Sequence, residues 1–457
     1  MFTEIHLENY KSFSEITMDL TQKNGAPKNL VLLYGENGAG KSNLAAAFFT
    51  LAETIRTMDI RDFLQDIMAQ DRRIAENEQL LKMLRSQLRD MEAIIQDARA
   101  IGAAGNLVLD FSFVIANKKG RYLLEMDDRN LVHEKLEYTL EKNRGVYFDI
   151  TPGDFKVNEK IFTDKSFLHD IQENLAKFWG KHSLLAILQH EKGDKIRRYL
   201  DEAISRPFRH LLEDFLQISC RVKCPGAPER GIVGLTHPIL SQLTKGTLRP
   251  DRTQELERAE AMLDRILPQI NRDIQNVYYQ REKRENGISY ELYTSQMISG
   301  RLCDIPFQLE STGTQSLLEL LPFFLAAAAG AVVVIDELDT GIHDACVRDL
   351  LLSIQSELTG QMIVTTHNTL LMDSDLSVGA FFVIQKQENG VRHIDCITET
   401  VSRVHPNHNV QNRYLRGDYG GIPAHMNVSL HDLLQILGQG SSESDGLPKV
   451  LDGETDL

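Results

Sequence analysis

Apolar and polar positions near the start of the chain predict two strands followed by a helix. Residues 2–7 alternate between apolar and polar side chains, and residues 29–34 form a continuous apolar run that predicts a buried strand. A glycine-rich turn comes next, and residues 43–56 then place apolar side chains at helical spacing without Gly or Pro. This order of strand, glycine-rich loop and helix is typical of a phosphate-binding loop.

The segment 59–101 contains neither Gly nor Pro, and its apolar residues recur every seven positions. This pattern predicts a long helix with a coiled-coil-like stripe, which could project roughly 60 Å at about 1.5 Å per residue. The second seam position is apolar only in the later part, so a bend or hairpin is equally compatible, as is a long helix packed on the body. The stripe consists of Ile67, Ile74, Leu81, Leu88 and Ile95.

The middle of the chain predicts two antiparallel hairpins and then a helical region. Residues 159–300 have a mostly helical pattern, with a second heptad-like segment over 256–277 that Pro268 interrupts. Residues 438–457 mix Gly, Ser and acids with few apolar residues, which predicts a disordered tail. The predicted hairpins pair 107–115 with 121–126 around Asn117–Gly120, and 135–140 with 146–150 around Asn143–Gly145.

Composition narrows the class of protein. The chain has 457 residues, a formal net charge of −15 and five cysteines at unrelated spacings, and its start lacks a signal-peptide pattern, so a reduced, cytoplasmic protein is expected. The longest apolar stretch, 320–335, is interrupted by Pro322 and Gly330 and predicts no membrane span. Such an acidic chain does not favour general binding to nucleic-acid phosphates. The basic run 281–284 contains an acid and is interpreted as a solvated helix face.

The glycine-rich turn fits the pattern G-x-x-x-x-G-K-S over residues 35–42. In this pattern the glycines allow backbone N–H groups to surround phosphates, Lys41 supplies positive charge and the Ser42 hydroxyl ligates Mg²⁺. The position of the motif, between a buried strand and a helix, favours a nucleotide site over an ordinary glycine-rich turn. ATP and Mg²⁺ are the cofactors expected.

Two further apolar runs end in polar residues that suit phosphate chemistry. Residues 331–335 precede Asp336 and Glu337, one of which can hold a metal ion while the other activates water. Residues 362–366 precede His367, whose ring can hydrogen-bond a γ-phosphate or the attacking water. Parallel strands would bring these loops to one edge of a sheet. Taken singly, the acid pair is also compatible with an ordinary strand end, and a lone histidine with a structural role.

The order of these motifs resembles that of the ABC-type ATPases. Ser311–Gln315 resembles the signature in its Ser-x-Gly-Thr form, which is that of the OLD, RecF and SMC-like branch and its bacterial phage-defence (abortive-infection) relatives. Asp336–Asp339 resembles Walker B and the D-loop, and His367 the switch histidine. Asn9–Phe13 resembles an N-terminal element of that branch, and Arg413–Pro423 resembles the closing segment of the defence-type ATPases.

The resemblance, which covers both ends of the chain, implies a role for each matched residue. Glu337 would be the catalytic carboxylate and His367 the γ-phosphate sensor, while Ser42 and Asp336 would hold Mg²⁺. The implied Q-loop glutamine has two candidates, Gln65 and Gln189, and each is also compatible with an ordinary polar residue. The nucleotide-binding residues implied are Lys11, Ser12, Gly35, Asn37, Gly38, Ala39, Gly40, Lys41, Ser42, Asn43, Ser311, Gly313, Gln315 and Asp339.

The fold class predicted is α/β: an ABC-type P-loop ATPase head with an antiparallel β-lobe and helical, partly coiled-coil-like insertions. Ser311 and Gly313 would face a nucleotide across a dimer interface, so the resemblance implies a homodimer or higher homo-oligomer closed by ATP. The predicted division is an ATPase core of 1–57 and 301–430, a long helical insertion 58–105, a β-lobe 106–152, a helical subdomain 153–300 and a disordered tail 438–457.

The function predicted is that of an ATP-binding and hydrolysing switch in bacterial anti-phage defence, which controls a separate effector encoded by a neighbouring gene. No intrinsic nuclease is expected, because OLD-type nucleases carry a further TOPRIM region and the segment after His367 leaves no space for one. The first alternative is a RecF- or SMC-like DNA-repair or chromosome-maintenance ATPase. The motifs are also compatible with a transporter motor subunit and with a non-hydrolysing ATP-binding scaffold.

Overall fold

The computed structural model describes residues 1–70, 89–139, 143–194, 202–223, 230–235, 237, 239–284, 287–387, 389–400, 409–422 and 428–437. The chain divides into one unit of residues 1–422 and a second of residues 423–457. The described part of the second unit contains one short helix, Leu430–Ile436. Within the described residues, no helix is both long and apolar enough to cross a membrane.

The secondary structure of the described residues mixes strands and helices along the whole first unit. The strands are β1 (Phe2–Tyr10), β2 (Phe13–Asp19), β3 (Leu30–Gly35), β4 (Leu107–Ile115), β5 (Lys118–Met126), β6 (Leu131–Thr139), β7 (Arg144–Thr151), β8 (Asp154–Val157), β9 (Ser219–Lys223), β10 (Arg230–Val233), β11 (Lys245–Leu248), β12 (Ile274–Arg284), β13 (Gly287–Ile298), β14 (Arg301–Pro306), β15 (Val332–Ile335), β16 (Gln361–Thr365), β17 (Phe381–Lys386) and β18 (Arg392–Cys396). The helices are α1 (Lys41–Thr54), α2 (Thr57–Gln70), α3 (Met91–Ala98), α4 (Lys165–Phe178), α5 (Leu184–Asp194), α6 (Arg206–Leu216), α7 (Thr253–Ile270), α8 (Thr312–Ala328), α9 (Asp344–Ile354), α10 (Ile397–Thr400), α11 (Val410–Leu415) and α12 (Leu430–Ile436).

The central sheet has the order β10-β9-β15-β16-β3-β17-β18. Its five inner strands are parallel, and both edge strands are antiparallel to their neighbours. The three central strands, β15, β16 and β3, are buried and mostly apolar, as expected for a parallel sheet that is covered on both faces. The ends of β3, β15 and β16 therefore meet at one carboxyl edge, as the sequence predicted.

Alternate residues of β3 enter two different cores. Val31 and Leu33 pack with α1 and the antiparallel sheet, while Leu32 and Tyr34 pack on the opposite side with α8, α9 and α11. Nearly the whole circumference of α1 is buried, which is typical of a helix enclosed between two layers. The phosphate loop at the start of α1 is thus attached to a rigid layer.

The antiparallel sheet has the order β2-β1-β4-β5-β6-β7-β8. It contains both predicted hairpins, since β4 pairs with β5 and β6 pairs with β7 in antiparallel register. The first strand of the chain pairs with β4, so this sheet includes the N-terminal strands as well as the predicted β-lobe. Phe2, Phe48 and Phe111 form an aromatic cluster that joins the sheet to α1.

The predicted uninterrupted helix over 59–101 is wrong, because a new helix starts within its later part. The alternative, a bend or hairpin in the earlier part, falls on residues 71–88, which lie outside the described residues. α3 begins at Met91 after an extended residue, Asp90. The Asp90 side chain accepts a hydrogen bond from the N–H of Ala93, so it caps a new helix start. Ile74, Leu81 and Leu88 of the heptad stripe lie outside the described residues.

The predicted helical region 153–300 is also partly wrong, because its described residues include six strands, β8 to β13. β12 and β13 form a long antiparallel hairpin with β11 and β14 on the same sheet. The heptad-like segment 256–277 is helical only as far as Ile270, and the basic run 281–284 lies on β12 rather than on a helix. β12 buries Ile274, Val277 and Tyr279 against α7. This packing of the sheet on a helix favours a strand over a helix for these residues.

Candidate functional site

The phosphate loop leaves β3 at Gly35 and enters α1 at Lys41. Gly35, Gly38 and Gly40 have φ angles of 151°, 78° and 115°, which L side chains rarely adopt. A Cβ atom on Gly40 would lie 2.6 Å from Cζ of Phe13. Glycine is therefore required there both by the backbone and by packing, and the loop presents the N-terminus of α1 as an anion site.

Lys41 bends back over the loop. Its Nζ donates to the carbonyl oxygens of Gly35 and Glu36, at 2.7 Å and 3.1 Å. Burial lowers the pKa of the Lys41 ammonium, while the carboxylates of Asp336, Glu337, Asp339 and Glu36 act in the opposite direction. These uncharged carbonyl partners could be exchanged for phosphate oxygens, to which an ammonium binds more strongly.

Thr365 holds the two acids that follow β15. Asp336 is fully buried and accepts a hydrogen bond from Thr365 Oγ1 at 2.6 Å. The same hydroxyl oxygen accepts from the N–H of Glu337 at 2.7 Å, where the backbone is left-handed with a φ of 51°. The register that pairs Ile335 with Val364 brings these groups together. One side chain therefore orients both acids.

His367 and Asp339 are joined at the next loop. The N–H of His367 donates to Asp339 Oδ2 at 3.0 Å. Burial lowers the pKa of the His367 imidazole and the Lys41 ammonium lowers it further, against the opposing effect of the three nearby carboxylates. A neutral imidazole at pH 7 can accept a hydrogen bond from water or donate one to a phosphate oxygen.

The N-terminal turn between β1 and β2 contacts the phosphate loop through Ser12 and Phe13. Ser12 Oγ accepts a hydrogen bond from Asn43 Nδ2 at 2.6 Å. The predicted role of Lys11 in nucleotide binding does not match its contacts, because its Nζ lies 2.9 Å from Asp97 Oδ2 on α3 and its side chain is only 10% exposed. The Lys11 ammonium thus forms an ion pair with α3.

The residues of the signature lie at the start of α8. Ser311 is exposed and caps the helix by accepting from the N–H of Thr314 at 3.2 Å. A Cβ atom on Gly313 would lie 3.1 Å from the carbonyl oxygen of Gly341, so the signature packs against the turn that follows Asp339. Gln315 was predicted to bind nucleotide, but its side-chain amide donates to two backbone carbonyl groups before the helix.

The closing segment packs against the first glycine of the loop. A Cβ atom on Gly421 would lie 3.2 Å from Cα of Gly35 and 2.5 Å from a methyl carbon of Val383. Tyr414 donates from its hydroxyl to the carbonyl oxygen of Gly421 at 3.1 Å, and its ring lies edge-on to that of Tyr34. The segment that resembles the closing segment of the defence-type ATPases therefore contacts the phosphate loop directly.

The structure brings Lys41, Asp336, Glu337, Asp339 and His367 to one edge of the central sheet, where their charges interact. The candidate Q-loop residues do not join them by any described contact: Gln65 lies on α2 and Gln189 on α5, two helices that pack on each other. The other predicted residues, Gly35, Asn37, Gly38, Ala39, Gly40, Ser42 and Asn43, lie in the loop or the first turn of α1.

Three residues at this site were missed by the sequence analysis. Thr365 was included in an apolar strand. Its hydroxyl could have been recognised, because Thr365 follows directly after Val364, the residue that pairs with Ile335 before the acid pair. Lys223 ends β9 beside β15, and its Nζ lies 4.0 Å from Glu337 Oε1. Arg392 donates to the carbonyl oxygens of Ser12 and Gly38 from β18. No local motif marks Lys223 or Arg392, because both reach the site through sheet pairing.

The donor set fits Mg²⁺ bound together with a nucleotide. Among the described residues no group of three or more His, Cys, Asp or Glu side chains could hold a metal ion by itself. Mg²⁺ commonly needs only one or two protein oxygens, with phosphates and water completing its coordination. A buried carboxylate at Asp336 and a hydroxyl at Ser42 are of this kind.

A phosphate loop, an acid pair and a histidine at the ends of three parallel strands, with an antiparallel sheet against α1, define a P-loop ATPase head of the ABC type. Residues 30–373 match the sequence profile of a family described as "AAA domain, putative AbiEii toxin, Type IV TA system". That match spans more than half of the chain, so the chain belongs to this ATPase family. No curated protein matches the chain.

Several solved structures of SMC heads resemble the chain at low identity. The SMC head domain from Thermotoga maritima is 15% identical, with a TM-score of 0.37 over 87% of this chain and 98% of that one. The SmcHead bound to the C-winged helix domain of ScpA is 12% identical, with a TM-score of 0.42 over 88% and 99%. The Smc head from Pyrococcus furiosus is 14% identical, with a TM-score of 0.38 over 86% and 95%. Likeness of this size supports no functional inference.

Proposed function

We propose that the protein is an ATP-binding and ATP-hydrolysing switch of bacterial anti-phage defence, which acts as a sensor or scaffold for a separate effector. The observation that carries the ATPase part is the convergence of Lys41, Asp336, Glu337 and His367 at one sheet edge. The family's description as a putative AbiEii toxin of a type IV toxin–antitoxin system supports the defence part. No intrinsic nuclease is part of this proposal.

Each site residue has a distinct role in the proposed reaction. Lys41 and the loop amides bind the phosphates, and Asp336 with Ser42 holds Mg²⁺, which neutralises phosphate charge when bound. Glu337 accepts a proton from the attacking water, because its carboxylate lies one residue beyond the metal-holding acid. His367, neutral at pH 7, hydrogen-bonds the γ-phosphate side of the site, and Asp339 holds the backbone of His367 in place.

The proposed site is completed by a second copy of the chain. Ser311 is exposed at the start of α8, where the positive end of the helix dipole favours an anion from outside this copy. ATP would then lie between two heads, and its hydrolysis would release them. We also propose that the core consists of residues 1–57 and 301–430, that 58–105, 106–152 and 153–300 are inserted between its two parts, and that the protein acts in the cytoplasm.

The test is a substitution that retains ATP binding and removes the proposed base. Glu337→Gln should hydrolyse ATP at least about a hundredfold more slowly while binding it normally, and should accumulate a closed homodimer in ATP and Mg²⁺. Glu357→Gln, a change at an exposed acid after α9, is the matched control. Unchanged turnover in Glu337→Gln would contradict the assignment.

The switch part needs a separate test. The product of the adjacent gene should co-purify with Glu337→Gln in ATP more than with the wild-type protein in ADP. Equal recovery in both states, or no recovery in either, would contradict control of that effector by nucleotide. ATP-stimulated binding to duplex DNA with a steep salt dependence would instead favour a DNA-repair ATPase, although the net charge of −15 argues against it.

A further inference from the structure

Arg392 on β18 connects the N-terminal turn to the phosphate loop. Its Nη1 donates to the carbonyl oxygen of Ser12 and its Nη2 to that of Gly38, the latter at 3.4 Å. The guanidinium also lies over the ring of Phe13, 5.9 Å from the centroid, and an edge of that ring lies against Gly40. One side chain therefore joins the N-terminal turn to two glycines of the loop.

The chemistry of this connection depends on arginine. A guanidinium directs several N–H groups in one plane and can bind two carbonyl oxygens at once, whereas a lysine ammonium is a single centre. The Arg392 Nε is buried and has no hydrogen-bond partner within the part of the chain that the structure describes. A desolvated N–H that is left unpaired is unfavourable, so the bonds to Ser12 and Gly38 must offset this cost; Nη1 also contacts the carbonyl oxygen of Gly390, next to β18, at 3.5 Å.

We propose that Arg392 is a positioning residue that holds residues 9–13 and the phosphate loop in the conformation that receives a nucleotide. It acts on the loop before the nucleotide arrives, so it should strengthen the binding of a nucleoside diphosphate and of a triphosphate by the same factor. This inference rests on the proposed function in taking a nucleotide as the ligand. Its effect on the empty loop, however, can be measured without any nucleotide.

The first experiment measures amide hydrogen exchange in nucleotide-free protein. Arg392→Met and Arg392→Lys should both accelerate exchange in peptides covering 9–13 and 35–43, because neither side chain can join the two carbonyl groups. Lys386→Met is the matched control, since exposed Lys386 pairs with Arg392 across β17 and β18. Unchanged exchange in both segments, or equal acceleration in the control, would overturn the proposal.

The second experiment measures nucleotide binding and turnover with Mg²⁺. Both Arg392 variants should raise the ADP Kd and the ATP KM by the same factor, on the order of tenfold, with kcat at saturating ATP within about twofold of wild type. A rise in the ATP KM without a rise in the ADP Kd would overturn the proposal. So would a fall in kcat alone, or an Arg392→Lys variant with the ADP Kd and ATP KM of the wild type. If Arg392→Met does not fold, the ADP Kd and ATP KM of Arg392→Lys alone test the proposal. Absent turnover in the wild type would refute the ATPase function, while the exchange result would still decide the role of Arg392.

Discussion

Thr365 shows how a single hydroxyl can determine the geometry of an acid pair. It donates to the buried Asp336 and accepts from the backbone of Glu337, whose left-handed conformation is unusual for this residue type. Without the hydroxyl, an oxygen of Asp336 would lose a hydrogen-bond donor in a buried environment. Loss of the hydroxyl would therefore reduce the free energy of unfolding and disturb the orientation of the two acids.

We expect Thr365→Val, which is nearly isosteric, to reduce the free energy of unfolding by about 1–3 kcal/mol and kcat on the order of tenfold or more. Thr365→Ser is the control, because it keeps the hydroxyl. ATP turnover at saturating Mg²⁺ and chemical denaturation measure the two effects. A valine variant with wild-type turnover would show that the hydroxyl does not orient the acids.

At the scale of elements, a largely buried group of charges links α3 to the phosphate-loop helix α1. Asp97 on α3 pairs with Lys11 and with Arg89, each at 2.9 Å, and Arg89 also lies 3.4 Å from Glu53 on α1. Burial raises the pKa of the Glu53 carboxyl to about 7, against the opposing effect of Arg89. These four side chains are at most 27% exposed, so screening by solvent is limited.

We expect Asp97→Asn to reduce the free energy of unfolding at pH 7 by about 2 kcal/mol and to raise the ATP KM several-fold, because Lys11 precedes the Ser12 contact to α1. Burial would raise the pKa of Asp97, but Lys11 and Arg89 hold it below its usual value. A depressed carboxyl pKa stabilises the fold above the unfolded pKa and stops doing so as pH falls.

The stability difference between Asp97→Asn and wild type should therefore shrink below about pH 4. Denaturation curves from pH 3 to pH 7 test this dependence. Asp128→Asn is the control, because Asp128 is 83% exposed and pairs with Arg99 at the end of α3. An Asp97→Asn variant that loses stability but keeps a wild-type KM would show that the cluster is structural and not coupled to the nucleotide site.

The secondary-structure elements that depend on neighbouring residues in the sequence were predictable. Those that depend on tertiary contacts were not. The glycines around Lys41 and the apolar runs before Asp336 and His367 predicted the loop, two strands and their common edge, since each depends on neighbouring residues. β12 was missed because Ile274 and Val277 also fit a helical period and their strand is selected by α7. The helix start after Asp90 was missed because a capping acid resembles any other acid in a charged segment.

At the scale of the whole molecule, the predicted signature and the phosphate loop belong to different surfaces of a proposed dimer. In each composite site Lys41 and Glu337 would come from one copy and Ser311 from the other. Variants in Lys41 and in Ser311 would thus damage opposite halves of a site. This gives a test that does not require a structure of the assembly.

We expect Lys41→Ala and Ser311→Arg to be inactive separately and active when mixed. In a mixed dimer one site combines both defects, while the other joins an intact loop to an intact signature, so turnover should recover to about a quarter of wild type if copies exchange freely and sites act independently. Mixing Lys41→Ala with Glu337→Gln is the control, because both changes affect the same half and leave no intact site. Recovery in that control, or none in the first mixture despite subunit exchange measured with labelled copies, would contradict a composite site.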